Sequence, residues 1–277
     1  MEQLQALLEQ RYGDGTGTHH DVELNQTLRN ILSRRSVRSF REDTVPEALL
    51  QTLFATAFSA PSKSDLQQAC VINVSDPDQR TRIAGLHGNT DWLARAPVFM
   101  VWCGDSRRIR RLCEWRGHAF ANDHLDAFMN AAVDVAIVMQ TFIVAAESVG
   151  LGCCPVSEVR NRIVALSEIL ALPKWVFPVA GLCVGWADRQ PPLSMRLPLQ
   201  VTVHDNRYDD TGLFETVSAY DAHRESREQT PPEKQRMVER YGVSDTYGWS
   251  ENRTRQYSVA ARADFGEYIR AQGFDLS

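Results

Sequence analysis

Apolar and polar positions follow two periods along this chain, and the switches between them mark out its elements. Val22, Leu24, Leu28, Ile31 and Leu32 recur at the spacing of one helix face. Leu49, Leu50, Leu53, Phe54, Ala57 and Phe58 form a second such face. Thr44, Pro46 and Glu47 give that helix its start, as capping hydroxyl, first-turn proline and early acid, and Ala60-Pro61 give its end. The continuous apolar run at 96–103 and the mainly apolar segments 69–74, 153–156 and 178–186 predict buried strands. Helices are predicted between them over 76–86, over 122–149 with Asn122-Asp123 as the cap, and from a Ser157 cap to Leu170 with Pro173 as the stop. Residues 204–256 are polar, and 262–273 read as a terminal helix with Phe265, Tyr268 and Ile269 turned inward.

The stretch 122–149 departs from an ordinary amphipathic helix. Its polar positions Asn130, Asp134, Thr141 and Ser148 fall within about 40° of one another on the wheel. Nearly every other position is apolar, so the helix must be buried on almost all sides. That requires its own sheet on one side and a partner on another, and so predicts a homodimer. Its most apolar part, 131–146, is too short to span a bilayer comfortably. The pattern divides the chain into a lead (1–23), a core (24–198) and a C-terminal excursion with its terminal helix (199–277).

Composition changes this picture little. With 277 residues, 43% hydrophobic and 23% charged, the chain has the balance of a soluble globular protein with a sizeable core. A net charge of −5 gives no global case for nucleic acid as partner. The first residues, Met1-Glu2-Gln3, do not read as a secretion signal. The six cysteines have no metal-ligand spacing, and Cys153 and Cys154 are adjacent, so they read as reduced core residues of a cytoplasmic protein. His118 and His124 lie near Glu114 and Asp126 without the ordered spacing of a metal site, so no metal is expected.

Candidate chemistry is concentrated at 33–41, where four arginines and three serines fall within nine residues of an acidic chain. Guanidinium forks and hydroxyls suit a phosphate, although a solvated basic turn has the same composition. The loop Ser62-Lys63-Ser64-Asp65 is suited to presenting backbone N–H groups to a ligand. The glycine run 13–17 follows no strand and is not read as a nucleotide fingerprint.

An ordered set of segments carries a resemblance. It comprises Arg-Arg-Ser-Val-Arg-Ser-Phe at 34–40, the buried helix ending Ala-Ala-Glu-Ser-Val-Gly-Leu-Gly at 145–152, Gly-Leu-Cys-Val-Gly-Trp at 181–186, and Arg196-Leu197-Pro198 followed by Val203-His204. Over residues 28–277 the chain resembles the FMN-dependent nitroreductase family, in its oxygen-insensitive NADPH nitroreductase and flavin reductase P branch. The resemblance implies an α+β fold, a central, mainly antiparallel sheet flanked by helices, with FMN bound at the interface of a homodimer. It also implies that Arg34, Arg35 and Ser36 take the FMN phosphate, with Ser194 and Arg196 at the late phosphate position. Arg38 is placed at the N1/O2 edge of the flavin ring. Pro61, Ser62 and Lys63 match a flavin loop, Asn89 or Thr90 a polar residue over the ring, and Pro155, Val156, Ser157 and Glu158 the backbone segment beside it. Arg240 and Arg262 match NADPH-binding arginines. No side chain is expected to act as catalyst, because the flavin carries the chemistry. The implied activity is ping-pong reduction of nitroaromatics, quinones or related small aromatic acceptors by NADPH or NADH. The alternatives are supply of reduced flavin, or flavin binding without turnover. The chain departs from the family pattern at Arg34 (commonly histidine), Ser194 (lysine), Pro155 (tyrosine), Ser157 and Glu158 (glycines), and Asp245 (a basic residue).

Overall fold

The computed structural model describes residues 2–13, 22–88 and 91–277. In chain order its main elements are α1 (Glu2–Tyr12), α2 (Gln26–Ser33), α3 (Glu47–Phe58), β1 (Ala69–Asn73), α4 (Pro77–Ala84), α5 (Asp91–Arg95), β2 (Val98–Asp105), α6 (Arg107–Arg116) and α7 (Leu125–Ser148). There follow β3 (Leu151–Val156), α8 (Ile163–Ile169), β4 (Val176–Trp186), α9 (Leu199–Thr202), α10 (Leu213–Arg227), α11 (Val238–Tyr241), α12 (Trp249–Tyr257) and α13 (Phe265–Ala271). They form two compact units, residues 35–191 with 262–277, and 1–34 with 192–261.

The first unit is built on an antiparallel sheet of order β1-β2-β4-β3, as expected for the fold class. Its strands alternate between two apolar layers, because successive side chains of a strand face opposite sides. Met100, Trp102, Leu182, Val184 and Cys153 join Leu50, Leu53, Phe142 and Ile143 in one layer. Phe99, Val101, Cys103, Cys183, Cys154 and Val156 join Ile83, Leu93, Val159 and Leu166 in the other. A third cluster seats the C-terminal helix: Tyr268, Ile269 and Phe274 pack with Ala131, Ile163 and Phe177, and partly buried Phe265 lies against them. Tyr268 and Ser167 share a 2.7 Å hydrogen bond between their hydroxyls.

Helix α7 is long and apolar enough, by composition, to cross a bilayer. Here it is a core helix, with Ala131, Val135, Phe142 and Ala146 buried. Its polar stripe does not face solvent at Asp134, which is 1% exposed. The exposed stripe is Leu125, Met129, Val133, Ala136 and Gln140, four of them apolar. Gly150 takes φ +90° just beyond the helix, where L side chains rarely go, and turns the chain into β3.

Several local readings are revised. Pro46, not Thr44, is the N-cap of α3, and no side chain caps it. His124 caps α7 in place of Asn122 or Asp123, while Asp123 takes both ends of the Arg110 fork at 2.6 and 2.7 Å. Ser157 opens a short 3₁₀ turn before α8. Helices α6, α10 and α12 were not expected from the sequence.

The second unit has a different construction. Among the described residues, no member of the three apolar clusters belongs to it. It buries Leu4, Leu8, Met195, Tyr220 and Tyr247 together with Arg11, Gln235 and Arg255. Arg227 caps the end of α1 by donating to the carbonyls of Gln10 and Glu9 at 3.1 and 3.2 Å.

Candidate functional site

In the sheet unit, the basic segment lies along an edge. Ser36 pairs with Cys153 as an isolated parallel bridge, and the Val37 N–H donates to the Cys153 carbonyl at 3.0 Å. Phe40 bridges Ala187, and Ser39 donates to Asp188 at 2.9 Å. Residues 36–40 are thus held as an extension of the sheet beside β3. Gly152 permits the approach: a Cβ there would lie 2.7 Å from a methyl carbon of Val37, which is itself 4% exposed. With Val37 fixed inward, alternation turns Ser36 and Arg38 away from the core. Arg38 is exposed, with its guanidinium 5.9 Å from the centroid of the Trp92 ring.

The loop at 62–68 is organised by Asp134 of α7. Its carboxylate accepts from the Ser62 hydroxyl at 2.8 Å and from the N–H groups of Lys63 and Gln68, each at 3.0 Å. The Ser62 oxygen in turn accepts from the Gln67 N–H at 2.7 Å. Three residues of this short loop, Ser64, Asp65 and Gln67, take positive φ. A buried carboxylate with several donors is the anchor such a loop requires. Lys63 and Pro61 remain exposed, while Ser62 spends its hydroxyl within the loop.

At the far end of β3, Pro155, Ser157 and Glu158 are exposed and Val156 is buried. Arg262 lies beside this turn, donating to Asn161 at 2.7 Å and to Ser157 at 3.5 Å. It takes φ +58°, a strained position for a non-glycine residue. Burial followed by the positive charge of Arg262 pushes the neighbouring Arg160 guanidinium down from its ordinary value. Burial likewise pushes the His87 imidazole below its ordinary 6.5, with Glu158 pulling the other way. Asn89 and Thr90 lie outside the described residues.

The remaining expected residues belong to the second unit. Arg34 follows the end of α2. Arg196 is exposed, and its Nη1 donates to the Ser194 hydroxyl at 2.9 Å. Ser194 and Arg196 border a cavity of about 570 Å³ shared with Tyr12, Arg224, Trp249 and Arg253. Arg11 joins the Arg34 and Ser194–Arg196 segments through backbone carbonyls. Arg240 is exposed on α11, 5.2 Å from the Tyr241 ring. Its segment is fastened by buried Arg255, which donates to the carbonyls of Arg236 and Gly242 at 3.0 and 2.8 Å and to Glu251 at 2.7 Å.

Three organising residues were therefore missed from sequence. Asp134 had a usable signal, since the one carboxylate within the apolar stretch 131–146 must have partners. Arg11 and Arg255 had none, because a buried arginine that serves carbonyls looks like any surface arginine.

The donor chemistry in each unit suits an oxyanion: guanidinium and hydroxyl groups at Arg35 and Ser36, and again at Arg34, Ser194 and Arg196. Comparison with known proteins gives the same direction. The model of the Nitroreductase family matches residues 31–186, and that of the nitroreductase family C-terminal domain matches 194–277. The chain is 31% identical over 257 residues to a protein named FMN reductase [NAD(P)H] from Bacillus subtilis, covering 91% of this chain and 99% of that one. It is 34% identical over 185 residues to the oxygen-insensitive NADPH nitroreductase of Salmonella typhimurium, covering 67% of this chain and 75% of the relative. Among solved structures, it resembles an NADPH:FMN oxidoreductase from Vibrio harveyi complexed with NAD+, with a TM-score of 0.78, 27% identity, and coverage of 90% and 98% of the two chains.

Proposed function

The chain belongs to the nitroreductase family, and on that premise we propose that it is an FMN-dependent NAD(P)H oxidoreductase that reduces small aromatic acceptors in a ping-pong cycle. Bound FMN would supply the two-electron chemistry. The observation that carries the reading is the edge segment 36–40, held on β3 by the Val37–Cys153 hydrogen bond with Ser36 and Arg38 turned outward.

In this reading Arg34, Arg35 and Ser36 take the phosphate, with Arg196 as a further guanidinium and Ser194 beside it. Arg38 supplies a fixed cation where the reduced ring carries negative charge. A preoriented charge of this kind stabilises without reorganising. The exposed Lys63 side chain faces the cofactor, and Asp134 keeps its loop in shape by taking the Lys63 and Gln68 N–H groups. Ser62 contributes by bracing the loop, since its hydroxyl already serves Asp134 and Gln67. Pro155 to Glu158, with Asn89 or Thr90, border the ring, and Arg240 and Arg262 receive the phosphates of the nicotinamide nucleotide. The exposed apolar stripe Leu125, Met129, Val133 and Ala136 supports a homodimer seated on α7. Cys103 and Cys183, buried among the strands as core residues, support a reducing, cytoplasmic setting.

The relatives' names favour a second acceptor, free flavin. Steady-state turnover of the FMN-loaded enzyme against nitroaromatics, quinones and free FMN separates the two. Turnover of nitroaromatics and quinones is expected. Oxidation of NADPH by free flavin alone would transfer the assignment to a flavin reductase, and no turnover with any acceptor would contradict both.

A further inference from the structure

Arg11 sits in the last turn of α1 and is 4% exposed. Its Nε and Nη2 donate to the Leu32 carbonyl at 3.1 and 2.7 Å, and Nη2 also donates to the Arg34 carbonyl at 2.8 Å. Nη1 reaches the Ser194 carbonyl at 2.7 Å. The backbone closes the arrangement, because the Arg196 N–H donates to the carbonyl of Arg11 itself at 2.7 Å. One residue thereby fastens two segments, 162 positions apart, that end in Arg34 and Arg196. Its helix lies outside both family-model matches, which cover residues 31–186 and 194–277.

We infer that Arg11 is a positioning residue for phosphate recognition, setting the affinity for the phosphate of FMN without touching it. This rests on the proposed reading of Arg34 and Arg196. Two guanidiniums that must converge on one anion repel each other until it arrives, so their backbones must be held. Arg11 does this with a planar fork, which lysine does not duplicate. It also occupies the carbonyl oxygens of Leu32, Arg34 and Ser194. These are the negative ends of their peptides, and a phosphate would otherwise meet them. In a planar trans peptide the N–H points opposite to the C=O, so each carbonyl drawn toward Arg11 turns an N–H to the other side.

The test is binding of FMN and of riboflavin, which lacks the phosphate, to apoprotein of Arg11→Met, Arg11→Lys and Arg196→Ala, followed by flavin fluorescence. Arg11→Met should weaken FMN about tenfold or more, the scale of one lost charged hydrogen bond, and leave riboflavin within about twofold. Arg11→Lys should fall between Arg11→Met and the parent. Unchanged FMN affinity in Arg11→Met, or equal weakening of FMN and riboflavin, would overturn the inference, the latter marking a merely structural role. Should Arg11→Met fail to fold, Arg11→Lys decides by the same criterion. If Arg196→Ala also spares FMN, the phosphate reading itself has failed, and the two failures are thereby told apart.

Discussion

The two compact units bury different things. The sheet unit buries aliphatic and aromatic side chains in continuous clusters, with Trp102, Phe99, Phe142 and Phe177 almost wholly removed from water. The second unit, beside a few apolar side chains, buries guanidiniums: Arg11 and Arg255 are each 4% exposed, and both donate to backbone carbonyls. Apolar burial is non-directional and tolerates exchange of one hydrocarbon for another. A guanidinium on carbonyls specifies particular backbone atoms, and its removal leaves those acceptors unsatisfied. The first construction supports a scaffold. The second fixes loops to one another, among them the segments bearing Arg34, Arg196 and Arg240.

The largest expected effect breaks the scaffold. Phe142 packs its ring 5.5 Å from those of both Phe54 and Trp102. Phe142→Ala should cost about 3–5 kcal/mol in urea unfolding of the apoprotein. A loss below about 1 kcal/mol would mean that α7 is not seated on the sheet as described. Arg255→Met should cost less, about 1–3 kcal/mol. Its signature is regional: hydrogen exchange should accelerate across 236–257 while the amides of β2 and β4 keep their protection. Uniform acceleration would erase the distinction between the units.

The smallest effect concerns His87. Burial lowers its folded value below 6.5, so the folded chain binds this proton less tightly than the unfolded chain. The group is neutral in stability above the unfolded value and destabilises as pH falls from there to the folded value. His87→Gln should therefore flatten the acid-side loss of stability below about pH 6.5. Parallel pH profiles for the two proteins would show that His87 is not desolvated.

The sheet unit was legible in the sequence because apolar runs and periodicity report burial directly. All four strands, α3, α4, α7, α8 and α13 follow from them, with ends displaced by a few residues. Helix caps were not legible, because Thr44, Asn122 and Asp123 all have capping chemistry and only tertiary contacts decide among them. In the site, the residue types at 34–38 raised the expectation of a phosphate, on which the proposal rests, while the hydroxyl of Ser62 has its bonds inside the loop, and sequence could not show that. The second unit was least legible, since helices α10 and α12 are held by polar contacts such as Asp221 to the Ser250 N–H. Such contacts leave no periodic trace.

The central claim is that this chain holds FMN and exchanges electrons between a nicotinamide nucleotide and an acceptor through it. The most direct measurement is the visible spectrum of the purified protein under anaerobic titration with NADPH and, separately, NADH. A yellow protein with a flavin spectrum, bleached by stoichiometric reductant and restored by a nitroaromatic or quinone, is expected. A colourless protein that added FMN does not reconstitute, or bound FMN that neither nucleotide bleaches, would contradict it.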